Sequence, residues 1–107
     1  MNSDNTFLST LEDIIQQRIE QKSERSYTAQ LVASGDLRVA QKVGEEALEL
    51  ALAAIAGSAD RQLEEAADLV FHLLVLLRTK GISLTDVSAK LQQRHLASDT
   101  DHGRSEY

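Results

Sequence analysis

The chain has 107 residues, 26% of them charged, a net charge of −6, and neither cysteine nor proline. One domain fits this length, and disulfides, thiolate zinc sites and cysteine nucleophiles are excluded. An acidic chain lacks the basic surface that displaces counterions from nucleic-acid phosphates, so no nucleic-acid partner is expected.

The N-terminal MNSDNTFLST has no basic segment followed by an apolar one, and so does not read as a signal peptide. A first helix is predicted from about Phe7 to Gln21, where Phe7, Leu8, Leu11, Ile14, Ile15 and Ile19 recur at helical spacing. Gln21 to Ser26 reads as a polar connection, and Tyr27 to Ala33 as a short helical turn stopped by Gly35. Asp36 is the expected N-cap of a second helix running from about Leu37 to Ala56. Its stripe is Val39, Val43, Ala47, Leu50 and Ala54, with Gly57 as the C′ residue. A third helix is predicted from Ala59 or Asp60 to Lys80, ending at Gly81. A fourth starts at Ser83, which forms a capping box with Asp86. Residues 97–107 are polar and aperiodic and are expected to form a mobile tail, leaving about 6–96 ordered.

These elements make a single all-α domain, a four-helix-bundle-like protomer. Its third helix is unusual: from Ala66 to Leu77 it reads AADLVFHLLVLL, apolar nearly all the way round. Such a helix is buried on several sides, more than four short helices cover, and a two-fold homodimer is the economical solution. The most apolar run, Leu69 to Leu77, is far shorter than the roughly 20 residues that span a bilayer. A cytoplasmic protein with no membrane contact is expected.

Chemistry concentrates between Lys42 and His72. Seven acids lie there (Glu45, Glu46, Glu49, Asp60, Glu64, Glu65 and Asp68), opposed only by Lys42 and Arg61. Glu46 and Glu49 share one face of the second helix, and Glu65 and Asp68 one face of the third. A short turn at Gly57 and Ser58 makes these helices antiparallel, so the two pairs meet at similar height. A single acid pair at this spacing ordinarily forms a solvated face. Four facing carboxylates, one at the edge of an apolar run, need protons or a cation to offset their repulsion. All-oxygen ligands suit Mg²⁺, with Mn²⁺ as a substitute, and a site of this kind handles phosphates. Glu45 and Glu64 are adjacent and open in role: ligand, water-activating base or exposed acid. His72, one turn after Asp68, either orients that carboxylate or is a buried histidine satisfied by it. Lys42 either meets a phosphate or pairs with Glu46. Arg18, Arg25, Arg38 and Arg94 are further candidate phosphate contacts. Neither a glycine-rich phosphate loop nor a Gly-x-Ser-x-Gly element occurs.

The ExxE pair at Glu46 and Glu49, followed by ExxD at Glu65 and Asp68, resembles the signature of the all-α nucleoside triphosphate pyrophosphatases, which include MazG proteins and dimeric dUTPases. Longer words place the resemblance closest to phosphoribosyl-ATP pyrophosphatases: SYTAQL at Ser26 to Leu31, VAQKVGEEALE at Val39 to Glu49, EAADLVFHLLVLL at Glu65 to Leu77, and LQQRH at Leu91 to His95. It covers about Leu8 to His95. The resemblance implies Mg²⁺-dependent hydrolysis of phosphoribosyl-ATP to phosphoribosyl-AMP and pyrophosphate in histidine biosynthesis, by an intertwined helical dimer with sites at the interface. Glu46, Glu49, Glu65 and Asp68 are then the metal ligands, and Glu45 or Glu49 helps deprotonate the attacking water. Arg18, Tyr27, Thr28, Lys42, His72 and Arg94 are the implied substrate contacts. Position 71, often tyrosine in such proteins, is Phe71, so any role there is apolar. Many such proteins carry a fused cyclohydrolase domain; this chain shows none, and the next reaction is expected from another polypeptide. The alternatives are a MazG-type house-cleaning (d)NTP pyrophosphatase and a non-catalytic helical dimerisation module.

Overall fold

The computed structural model describes residues 3–100, which form five α-helices: α1 (Ser3–Gln21), α2 (Tyr27–Ala33), α3 (Asp36–Ala56), α4 (Ala59–Thr79) and α5 (Leu84–Thr100). No strand occurs among the described residues. The all-α expectation holds, with the short turn at Tyr27 a helix in its own right. Two boundaries differ from expectation. α1 begins at Ser3, four residues before Phe7, and α5 continues to Thr100, through the first part of the expected tail. The remainder of that tail, 101–107, lies outside the described residues. Among the described residues no helix is long and apolar enough to cross a membrane.

Local chemistry sets the breaks. The Ser26 hydroxyl caps α2 by accepting from the amide of Ala29, and Ser58 caps α4 by accepting from that of Arg61. At α5 the capping box forms in both directions: Asp86 N–H donates to Ser83 Oγ at 3.0 Å, and Ser83 N–H to Asp86 Oδ2 at 2.9 Å. α4 ends in a Schellman arrangement. Gly81 has φ +72°, its N–H donates to the Arg78 carbonyl, and the N–H of Ile82 donates to that of Leu77. Asp36 does not cap α3. It is the first helical residue and pairs with Lys80 at 2.5 Å, while Gly35 occupies the N-cap with φ 106° and ψ 160°, a region open essentially to glycine alone.

α3 and α4 form the longest antiparallel pair. One row of less exposed positions runs along α3 through Val39, Val43, Glu46, Leu50 and Ala53 to Gly57 just past its end; another runs along α4 through Gln62, Glu65, Leu69, His72 and Leu76. Both sets alternate by three and four residues, the spacing of a packed helical seam. The buried alanine of α3 is therefore Ala53, 2% exposed, and not the expected Ala54, because the true stripe keeps the three-four alternation through Leu50. Around this hairpin the core is Ile15, Leu31, Val39, Leu74 and Val75, joined by Leu11, Ile19, Val32, Phe71, Leu76 and Leu84. α5 is anchored at its start, where Leu84 packs on the core and its N–H donates to Glu12.

Gly57 serves space rather than unusual dihedrals. Its φ is −96°, so it is not the left-handed C′ residue expected, but an added Cβ would sit 2.9 Å from the Ala53 carbonyl oxygen and 3.1 Å from Arg61 Cδ. Gly57→Ala should lower the thermal midpoint by about 5–10 °C, the effect of roughly 1–2 kcal/mol of overpacking. Gly44→Ala, where nothing lies within 4 Å of the new methyl, should not lower it. Thermal melts of the two variants check this.

Candidate metal centre

The α3–α4 seam places acids where apolar residues would ordinarily sit. Glu46 and Glu65 occupy seam positions, and their side chains are only 13% and 17% exposed. Asp68 lies one turn beyond Glu65, toward solvent. Glu46, Glu65 and Asp68 each bring one carboxylate oxygen to within 4.8 Å of the others. Six-coordinate Mg²⁺ holds oxygens at about 2.1 Å, so its ligand atoms stand about 3–4 Å apart. Small side-chain rotations close this set onto such an ion, and the hard, all-oxygen donors fit it.

Two cations offset part of the negative charge. Lys42 Nζ lies 3.2 Å from Glu46 Oε2 and 3.8 Å from Glu45 Oε1. The hydrogen bond to Glu46 raises the Lys42 pKa above its ordinary 10.5, against the opposing effect of burial and with the help of nearby Tyr27 and Glu45. Lys42 is therefore a firm ammonium at neutral pH. On the other side, one guanidinium nitrogen of Arg61 lies 3.5 Å from Glu49 and 3.7 Å from Glu65, bridging α3 and α4. Among the described residues no cation pairs with Asp68.

Glu49, expected beside Glu46, sits in the same face of α3 but is drawn to Arg61 and stands outside the group of three. Arg61 was counted in the sequence only as an opposing charge, and its bridging of Glu49 and Glu65 was missed. The signal was available: it precedes Glu65 by one turn and lies across an antiparallel hairpin from Glu49. Glu45 is half exposed and pairs with Lys42 and, at 3.7 Å, with Arg38.

The remaining candidates separate. Tyr27 is half exposed at the start of α2, and its hydroxyl lies 2.8 Å from His72 Nε2. His72 is 7% exposed, with Nδ1 2.7 Å from the backbone carbonyl of Asp68. Both ring nitrogens are thus engaged within the protein. The carbonyl of Asp68, not its carboxylate, satisfies the ring. Thr28 is also buried, at 6%. Phe71 is apolar in use: its ring packs edge-on against His72 at 5.1 Å and tilted against Tyr27 at 6.2 Å. Arg18 lines a polar pocket with Gln21, Ser23, Arg25 and Ser26 at the α1–α2 corner. Arg94 is exposed on α5, well beyond the Leu84 anchor.

A profile of the phosphoribosyl-ATP pyrophosphohydrolase family matches residues 8–95, nearly all of the helical chain. The chain belongs to that family. Among similar members, the phosphoribosyl-ATP pyrophosphatase of Pyrobaculum neutrophilum is 55% identical over 87 residues, covering 81% of this chain and 93% of that protein. The protein of the same name from Pyrobaculum islandicum matches to the same extent. The histidine biosynthesis bifunctional protein HisIE of Photobacterium profundum is 51% identical over 83% of this chain, which spans 43% of that longer protein. The family match takes in α2 to α4 whole, and with them the acidic seam and the Tyr27–His72 contact.

Proposed function

We propose that the chain hydrolyses phosphoribosyl-ATP to phosphoribosyl-AMP and pyrophosphate, a step of histidine biosynthesis, with a divalent cation held between α3 and α4. The observation that carries this reading is the convergence of Glu46, Glu65 and Asp68 in the seam, in a chain of this family. These three carboxylates, with Glu49 one turn along α3, are the residues that would hold Mg²⁺. When bound, the ion neutralises phosphoryl charge and lowers the pKa of water.

The chain's own groups do the rest. Lys42, held protonated beside Glu46, offers positive charge to a phosphoryl oxygen. Arg18 and Arg25, in the pocket closed by Ser26, serve a phosphate farther along the substrate, and Arg94 does so from α5. Glu45 or Glu49 accepts the proton of a water. That water's oxygen forms a bond to the α-phosphorus, the α–β anhydride bond breaks, and pyrophosphate leaves. Catalysis is largely positioning and charge neutralisation.

The working unit in this reading is a homodimer. Leu48, Leu52 and Ile55 form a strip on α3 that is 53–85% exposed, and Leu63 on α4 is 70% exposed. Phe7, Leu63, Ala66 and Val70 line an apolar groove between α1 and α4. The radius of gyration is 16.2 Å, against about 13 Å for a compact domain of this length. A protomer that leaves such faces open is completed by a second copy.

Pyrophosphate release from phosphoribosyl-ATP, measured with Mg²⁺ against a panel of ribo- and deoxyribonucleoside triphosphates, tests the assignment. Preference for phosphoribosyl-ATP is expected. Preference for a deoxynucleotide would assign a house-cleaning role instead, and no release from any substrate would leave a helical dimerisation module.

A further inference from the structure

In the neutral ring, the contacts of His72 fix which nitrogen carries the proton. A backbone carbonyl can only accept, so Nδ1, 2.7 Å from the Asp68 oxygen, carries the hydrogen. In the neutral ring Nε2 is then an acceptor, and the Tyr27 hydroxyl, 2.8 Å away, donates to it. The near-perpendicular rings of Tyr27 and His72, 5.7 Å apart at 86°, and the Phe71 ring against both restrain this pairing. The hydroxyl of α2 is thereby tied through one imidazole to the turn of α4 that bears Asp68. We propose that His72 is a positioning residue that touches no substrate but commits the Tyr27 proton inward, so that Tyr27 meets the nucleotide only as a hydrogen-bond acceptor.

This rests on the hydrolase reading for its substrate. Tyr27 is half exposed, and its phenol oxygen, bonded to His72, keeps lone-pair capacity and has no proton to give. A phosphoryl oxygen, itself an acceptor, is the wrong partner for it. The group that fits is a hydrogen-bond donor of the nucleoside part, an N–H of the base or a sugar hydroxyl. Tyr27 therefore discriminates nucleotide from bare polyphosphate, and Lys42 and the arginines carry the phosphate contacts.

Two measurements test this. The first needs no activity: ¹⁵N spectra of the histidines in the full chain at alkaline pH, where free imidazole is neutral. His72 should show the Nδ1–H tautomer, the minor form of free histidine, and Tyr27→Phe should shift its Nε2 resonance toward that of an unbonded lone pair. An Nε2–H tautomer, or an Nε2 signal unmoved in Tyr27→Phe, overturns the proposal whatever reaction the chain performs. The second is a mutant cycle on phosphoribosyl-ATP hydrolysis. Tyr27→Phe, which keeps the ring that packs on Phe71 and His72, should raise KM about three- to tenfold with little change in kcat. His72→Asn, which keeps a donor toward the Asp68 carbonyl, should do the same, and the double variant no more than either. Inhibition by tripolyphosphate should be unchanged in Tyr27→Phe. Multiplying effects, or tripolyphosphate weakened as much as substrate, would overturn the role. A 2′-deoxy substrate narrows the choice of donor, since the Tyr27→Phe penalty disappears if the donor is that hydroxyl and persists if it is the base or another sugar hydroxyl.

Discussion

Asp68→Asn and Glu46→Gln will each lower kcat for pyrophosphate release by at least about a hundredfold while leaving the helical content intact. The size follows from what each change removes. Altering groups that merely support a metal ligand costs about 10- to 100-fold, and these residues are the proposed ligands themselves. Neutral amides keep the shape but not the charge that holds a hard dication. Folding should survive for different reasons at the two positions. Asp68 is exposed and has no cationic partner among the described residues. At Glu46 the change leaves Lys42 with Glu45 as a second acid at 3.8 Å. In each variant one of the repelling carboxylates is gone, so the thermal midpoint without Mg²⁺ should hold or rise. Steady-state kinetics beside circular dichroism checks both halves. Retained turnover would remove these carboxylates from the chemistry, and lost helicity would make their role structural.

If the proposed homodimer of two 11.8 kDa chains is built on the α3 strip, Leu52→Glu will convert it to a monomer, with loss of activity. Leu52 is 53% exposed in the protomer and lies between Leu48 and Ile55 on one strip of α3. Against solvent alone a glutamate there costs little, because over half of the residue's surface is open in the protomer. Across a two-fold apolar interface the same side chain is buried in both copies, each an unpaired charge costing several kcal/mol. The loss of apolar burial adds about 1.5–3 kcal/mol per side chain. Sedimentation of wild type and variant decides: a wild-type monomer, or an unaffected dimer in Leu52→Glu, would reject this face as the interface.

Much of this was legible in the chain because helix punctuation is local. Ser58, Gly81 and the Ser83–Asp86 box mark the ends of α4 and the start of α5 through hydrogen bonds to backbone within a few residues. The antiparallel hairpin followed from the short turn at Gly57, and with it the meeting of Glu46 with Glu65 and Asp68. What escaped depended on tertiary packing. Ala53 rather than Ala54 faces α4 because a packed pair follows a three-four alternation that a lone helix does not impose. Asp36 turns to Lys80, far along the chain, and leaves the cap to Gly35. α1 and α5 outrun their apolar stripes because polar residues continue a helix once it is nucleated. In the site, Glu49 and Glu46 share a face on paper, yet Arg61 draws Glu49 aside. The two nitrogens of His72 were beyond sequence altogether, since one of its partners, Tyr27, is brought in by a separate helix.

The central claim is that Glu46, Glu65 and Asp68 close on one divalent ion. Electron paramagnetic resonance of Mn²⁺ titrated into the full chain reads this most directly, through loss of the free-ion signal. Wild type should bind Mn²⁺ and release it to excess Mg²⁺, and Asp68→Asn should leave the free signal undiminished. Equal Mn²⁺ uptake by wild type and Asp68→Asn, or none by wild type, would contradict the account.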